Sequence, residues 1–284
     1  MKKFLNKKEN IYNIKNSIIT KPIECGGLRT KNIFKKNTKS KPLITIITVV
    51  KNDNKNIIRT IKSVINQPYK NIEYIIIDGK SNDGTLEKIK SYENKIDFWV
   101  SKKDNNLWEA LNLGVKFARG DIIGILNSKD FFYKDSIGII SKYFINNKID
   151  FLFGTVKKKK VFYKFEPDKI YYRFNIYPSH SCSFFIKKSV QKKVGLYNSS
   201  YDYCSDYDYF YRLIVQKKMI GKSTKKNEVI GEFDLNGISS AVPFYKTYFY
   251  EMKIRYDNGQ NIIFLFFLFI IKIINKIRNI IFND

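Results

Sequence analysis

Thiols and imidazoles are scarce in this 284-residue chain: it has three cysteines, Cys25, Cys182 and Cys204, and one histidine, His180. Cysteines at such separations supply neither a disulfide framework nor the ligand spacing of a zinc site, and a reducing, cytosolic compartment is the expectation. A hydrophobic leader is missing as well. The N-terminal run Met-Lys-Lys-Phe-Leu-Asn-Lys-Lys-Glu-Asn begins as an export signal does but has no apolar stretch behind it, so export by that route is not expected. Acidic residues are few: 26 Asp and Glu stand against 52 Lys and Arg, a formal net charge of +26. Such a surface attracts polyanions, whether nucleic acid, anionic lipid headgroups or nucleotide diphosphates. The abundance of Lys, Asn and Ile, all with AT-rich codons, offers genome composition as a second source of the charge. The basic residues do not interleave with aromatics as in a nucleic-acid recognition motif, so nucleic acid is not an expected partner. Apolar and aromatic residues are plentiful, at 44% and 16%, which excludes a chain disordered throughout. The length allows one large domain with additions.

Residues 1–41 are basic and polar, broken at Gly26-Gly27, with no sustained periodicity; they read as an extension on the surface. From Pro42 the texture changes. Residues 43–50 form an apolar, β-branched run, the mark of a strand buried on both faces. Asp53 or Asn54 can cap a helix in which Ile57, Ile58, Ile61, Val64 and Ile65 fall at helical spacing, with Pro68 just past its end. Further strands are predicted at 72–78, 96–101 and 122–126, with helices from about Thr85 and over 108–118. Beyond Asp150, apolar runs at 151–156 and 161–165 flank four lysines and suggest a hairpin; 206–217 reads as a helix and 229–233 as a short strand. Strands alternating with helices imply a doubly wound, mostly parallel α/β sheet with helices on both faces. In such sheets ligands bind beyond the carboxyl ends of the strands. Polar residues gather at those ends, at 48–53, at Asp78, at Asp104 and at 127–130.

The string Asp78-Gly79-Lys80-Ser81-Asn82-Asp83-Gly84-Thr85 is a turn in which glycines permit unusual backbone angles. Capping accounts for Ser81 and Asp83 but not for Asp78, whose carboxylate suits a base N–H or a ribose hydroxyl. Together with the strand that begins at Pro42 and with Ala118-Arg119-Gly120-Asp121-Ile122-Ile123-Gly124-Ile125-Leu126-Asn127, this string resembles the family 2 glycosyltransferases. More narrowly, it resembles the bacterial subgroup that builds surface polysaccharides. The likeness spans about residues 42–240, and Gly26-Gly27-Leu28-Arg29 is similar to what some members carry. It implies a GT-A fold and inverting transfer from a nucleotide-sugar donor, contacted through Thr48, Val50, Asp78, Asp104, Asn127, Lys129 and Asp130. Members usually stabilise the leaving diphosphate with a divalent cation, Mn or Mg, on an Asp-x-Asp element that the subgroup often writes Asn-x-Asp-Asp. This chain has Asn127-Ser128-Lys129-Asp130. An ammonium repels a cation, which leaves three readings. Lys129 binds the diphosphate itself; Asp130 takes the metal by a one-residue shift; or the site has decayed in a non-catalytic binding or scaffold protein of the same fold.

On the acceptor side, Asp206 matches the base that an inverting transfer needs to take the acceptor's proton. Capping its helix is the plainer role, and the two are compatible. His180 follows Tyr177-Pro178-Ser179 and matches a His-Gln acceptor element, with Ser181 in place of Gln. The segment from Asp104 to Gly114 resembles Asp-x-Gly-Ile-Tyr-Asp-Ala-Met-Asn-x-Gly, with Asn106, Trp108 and Glu109 as departures and Asn112 in register. Asn236 and Gly237 match a Gly-Gly-x-Ser loop near the acceptor. The C-terminal segment carries a wholly apolar run at 262–271, shorter than the roughly 20 residues that span a bilayer. Lys272, Asn275, Lys276 and Asn279 follow at helical spacing with isoleucines facing away, the pattern of a helix lying in a membrane interface. A helix covering the domain's own core is the alternative. The expected organisation is an extension (1–41), a transferase domain (42–240) and an interfacial helical segment (241–284). Such a protein acts on a glycan or lipid-linked acceptor from the cytoplasm, peripherally on the inner face of an anionic membrane.

Overall fold

The computed structural model describes residues 24–38, 41–234 and 242–282. At its centre lie four parallel strands, β2 (Ile44–Val50), β3 (Ile72–Asp78), β4 (Phe98–Ser101) and β5 (Ile122–Ile125), and every residue in them is buried. Alternation of side chains explains how an unbroken apolar run is used. Ile44, Ile46 and Val50 of β2 face one core with Ile57, Ile61 and Val64 of α1 (Ile57–Ile65). Ile47 and Val49 face the other, against Leu111 and Val115 of α3 (Leu107–Phe117). A short α2 (Thr85–Lys90) links β3 to β4, and α4 (Ser136–Asn146) adds Ile137, Ile140 and Phe144 to the first core.

Further strands of both directions extend this centre. β10 (Phe184–Lys187) pairs with β5 and with β7 (Phe151–Phe153), and β11 (Gly221–Ser223) closes that edge. At the far edge lies β1 (Glu24–Gly26), which gives the order β1-β4-β3-β2-β5-β10-β7-β11. A smaller sheet, β6-β12-β8-β9, is built from β6 (Phe131–Phe132), β8 (Thr155–Lys157), β9 (Val161–Phe162) and β12 (Val229–Glu232). The hairpin expected around the lysine run is the β8–β9 pair, while the preceding apolar residues join the main sheet. The fold is the expected mixed α/β sheet with helices on both faces.

The N-terminal part of the described chain docks on the sheet ahead of residue 42. Glu24 to Gly26 pair antiparallel with β4, and Arg29 is buried. A three-residue strand is too short to show periodicity, and the glycines that break the sequence are what allow it to dock. A Cβ on Gly26 would lie 2.7 Å from the Trp99 ring, and Gly27 has φ 100° with its missing Cβ 2.8 Å from the Ile96 carbonyl. The 206–217 helix also differs: α6 (Ser205–Tyr211) widens into a π turn over Arg212–Gln216. After α5 (Lys188–Val194) and α6, the chain ends in α7 (Phe244–Asp257) and α8 (Ile262–Phe282). Helix α7 is held to the body by Ile254, which packs with Ile170, Phe174, Ile176, Tyr201 and Tyr211. Among the described residues no helix is long and apolar enough to cross a membrane.

Glu73 ties the N-terminal segment to the sheet. Its buried carboxylate accepts from Thr45 Oγ1 at 2.7 Å and from Arg119 N at 2.7 Å, and Arg29 lies 3.5 Å away. Glu73→Ala leaves a buried guanidinium without its counter-charge, and a loss of about 3 kcal/mol or more in urea unfolding is expected. Glu24→Ala, which removes only an exposed pair with Lys90, should change stability by less than about 1 kcal/mol.

Candidate active site

In-register pairing sets Val50, Asp78 and Ser101 side by side at the carboxyl ends of β2, β3 and β4. Asp78 is almost fully buried and accepts from Ser81 Oγ at 2.5 Å, Ser81 N at 3.1 Å and Ser101 Oγ at 2.6 Å. The loops beyond β2 and β3 are laced together across this edge. Asn52 N donates to Ser81 Oγ at 2.8 Å, Asn82 N to Asn52 Oδ1 at 3.0 Å, and Asn54 N to Asp83 Oδ2 at 3.0 Å. Gly79 keeps the edge open, since a Cβ there would lie 2.9 Å from Asp104 Oδ2 and 3.2 Å from Lys51 Cβ. Partial burial raises the Asp104 carboxyl above its ordinary range, while Lys51, 4.0 Å away, opposes the shift. A cleft of about 460 Å³ opens beside Asp104, bounded by Ile77, Lys102, Asn112, Tyr197 and Ser199. Two expected donor contacts are not brought to this edge as side chains. Thr48 is buried with its hydroxyl 3.1 Å from that of Tyr74, and Val50 is buried in the core, its carbonyl accepting from Gly79 N.

Residues 127–130 follow β5 at the same edge. Asn127 and Lys129 are half-buried, and Lys129 has a left-handed backbone with φ 81°. Asn127 N donates to Ser181 Oγ at 2.8 Å, and that hydroxyl donates onward to Asp130 Oδ2. The other Asp130 oxygen accepts from Asp234 N at 2.9 Å, and the carboxyl is nearly inaccessible. Burial pushes Asp130 up to about 7, against the pull of Ser181, the Asp234 amide and the Lys158 charge. Lys158 in turn lies over the rings of Phe162 and Phe233, at 4.8 and 4.7 Å. The described residues here do not form a donor set for a divalent cation. Both Asp130 oxygens are committed inward, an ammonium precedes them, and among the described residues no group of three His, Cys, Asp or Glu converges to hold a metal.

Asp206 sits half-buried in the first turn of α6 and accepts from the Tyr177 hydroxyl at 3.0 Å. Burial pushes it up to about 6. His180 is buried with Nε2 2.9 Å from the Tyr197 hydroxyl, its ring among Trp108, Phe184 and Phe210. Burial lowers it to about 3, so the imidazole is neutral at any working pH and acts as a packing element between the two halves. The departures in the 104–114 segment have local reasons. Asn106 caps α3, accepting from Trp108 N and Glu109 N at 3.1 Å, and Trp108 stacks on Tyr197. Asn112 clamps the Tyr197 backbone with two hydrogen bonds of 2.8 and 2.9 Å. Asn236 and Gly237 lie outside the described residues. Ser181, Tyr177 and Lys158 were not read as site residues from the sequence. Only the Gln-to-Ser departure at 181 marked any of them.

The raised Asp130 gives a testable pH dependence. The folded protein holds a proton that the unfolded chain, with the ordinary value of 3.8, releases. The resulting stability is complete below about pH 4 and is lost as pH rises through about 7. Asp130→Asn keeps the shape without titrating, so its urea stability should fall less than that of the wild type between about pH 5 and pH 8.

The sequence pattern of Glycosyl transferase family 2 matches residues 45–216. Curated relatives include an uncharacterized glycosyltransferase of Rickettsia typhi, 30% identical over 198 residues that cover 64% of this chain and 61% of the relative. Another, from Mycobacterium tuberculosis, is 27% identical over 212 residues covering 71% of this chain and 78% of the relative. The chain thus spans less than two thirds of the length of the Rickettsia protein. Among solved structures, S. aureus TarS 1-349 in complex with UDP-GlcNAc matches with a TM-score of 0.60 at 15% identity, over 74% of this chain and 66% of that one. The mannosyltransferase PcManGT from Pyrobaculum calidifontis, in complex with GDP-Man and Mn2+, matches with a TM-score of 0.54 at 13% identity, over 87% and 68%. At such identities these structures establish a common fold. With a family pattern that runs from β2 to the π turn after α6, and with that fold, the chain belongs to Glycosyl transferase family 2.

Proposed function

We propose that the protein transfers a sugar, with inversion, from a nucleotide-sugar donor to a glycan or lipid-linked acceptor in the synthesis of a cell-surface polysaccharide. The observation that carries this reading is Asp206: a half-buried carboxyl in the first turn of α6 that accepts from Tyr177, raised to about 6, and so largely ionised at neutral pH. The donor lies along the Val50–Asp78–Ser101 edge, where Asp78 and Asp104 suit the N–H and O–H groups of a nucleoside. Nucleotide sugars bound to TarS and PcManGT support that choice of ligand. In the transfer, the acceptor oxygen attacks the anomeric carbon from the side opposite the diphosphate. Its proton passes to Asp206, the old carbon–oxygen bond breaks, and the electron pair leaves on the diphosphate. Tyr177 orients the base by donating to one of its oxygens. The rival reading, a non-catalytic binding protein of the same fold, draws on Lys129 alone.

Membrane association at the cytoplasmic face is part of the same proposal. Among the described residues of α8 only Leu265 and Leu268 are buried, while Ile263, Phe266 and Phe267 are 65%, 61% and 59% exposed. Lys272 pairs with Glu251 of α7, so the helix is fixed to the body while its apolar side stays open. Basic residues interleaved with exposed apolar ones suit the surface of an anionic bilayer, at about 1 kcal/mol for each Lys or Arg near it.

Asp206→Asn should lower kcat by about 10²–10⁴-fold while donor affinity is retained. The wild-type rate should rise with pH through about 6, since the base must be ionised, and loss of that limb in the variant is the confirming sign. Nearly unchanged turnover would remove Asp206 from the role. For the membrane, the double variant Phe266→Asp, Phe267→Asp should abolish co-flotation with phosphatidylglycerol vesicles and leave the circular dichroism spectrum unchanged. Flotation that persists would count against α8 as the contact.

A further inference from the structure

The segment after β5 is held around its lysine by a small set of specific contacts. Ser181 Oγ accepts from Asn127 N at one end of the segment and donates to Asp130 at the other. One hydroxyl therefore fixes both flanks of Lys129. Ser128 N donates to the Val49 carbonyl at 3.3 Å, which anchors the turn to the end of β2. Asp130, the remaining carboxylate of the motif, faces inward, and Lys158 supplies a counter-charge from the β8–β9 hairpin. Lys129 itself keeps φ 81°, a conformation that Gly or Asn adopts more readily than other residues. Lys129 thus stands half-buried at the strand-end edge, in a backbone conformation that its own side chain does not favour.

We infer that Lys129 replaces the divalent cation: its ammonium binds the diphosphate of the donor and stabilises the charge left there as the glycosidic bond breaks, so that transfer needs no metal. This rests on the nucleotide-sugar reading above. The bond electrons pass to the diphosphate oxygen and the acceptor proton to Asp206. A lysine differs from a metal in offering three donors from a point charge with no coordination geometry to satisfy. A carboxylate that must ligate has no place beside it, which fits the inward turn of Asp130.

Calorimetric titration of the protein with UDP, GDP, CDP and dTDP, and with the corresponding nucleosides, tests this in EDTA and in millimolar Mn2+. The nucleoside diphosphate that binds should do so with a Kd that differs by less than about twofold between the two conditions. Lys129→Asn, which tolerates the left-handed backbone, should weaken the diphosphate about tenfold or more and leave the nucleoside unchanged, as loss of a charge-assisted contact predicts. Lys129→Arg should recover most of the affinity. Tightening of the wild type by more than about tenfold in Mn2+ would overturn the inference, as would equal weakening of nucleoside and diphosphate by Lys129→Asn. If neither nucleosides nor diphosphates bind in either condition, the nucleotide-sugar reading fails and takes this one with it. Diphosphate binding that is metal-dependent in the wild type refutes only the lysine.

Discussion

Parallel pairing of β2 with β3, and of β3 with β4, is the interaction from which the rest follows. Seven consecutive residue pairs run from Ile44 and Ile72 to Val50 and Asp78 without a slip. A one-residue slip would turn Ile47 and Val49 from the α3 face to the α1 face and misplace Asp78 by a full residue. Because both faces of these strands are covered, polar chemistry is confined to their ends. Asp78 can be nearly buried and still belong to a site, since its carboxylate leaves the sheet at the last paired residue and is met by Ser81 and Ser101. Register, not loop composition, sets where Asp78 and Asp104 stand.

The second half of the site is held to this edge by one small connection. Ser181 reaches the 127–130 segment, while its neighbour His180 packs against Tyr197 and Phe210. Phe210 lies in α6, four residues after Asp206, and also touches Tyr177, which orients that carboxylate. A neutral, buried imidazole serves well here because it fills an aromatic core and still hydrogen-bonds a phenol. Burial shapes each carboxylate differently. Asp78 is answered by hydroxyls, Asp206 by one phenol, and Asp130 by a hydroxyl, an amide and a distant lysine.

Much of the parallel sheet was legible because long β-branched runs such as 43–50 have few alternatives, and the polar residues at their ends were read correctly as one edge. Short elements were not. β1 depends on backbone pairing and on two glycines that fit against Trp99 and Ile96, and three residues carry no period. The smaller sheet uses strands of two to four residues that only the folded chain brings together. Thr48 looked like a site residue by its place at a strand end, yet side-chain alternation points its hydroxyl at Tyr74. Ser181 was visible only as a departure from a motif. What it replaces in chemistry could be seen only once Asn127 and Asp130 were found on either side of its hydroxyl.

The account stands or falls on the strand-end edge being a nucleotide-sugar site. Melting temperatures measured with a panel of UDP-, GDP-, CDP- and dTDP-linked sugars test it most directly. A ligand at about one hundred times its Kd stabilises the folded state by about 2.7 kcal/mol, which for a chain of this size raises the midpoint by roughly 5 °C or more. The account predicts such a rise for at least one donor, and its loss in Asp78→Asn. No rise with any of them, at millimolar concentration, would contradict it.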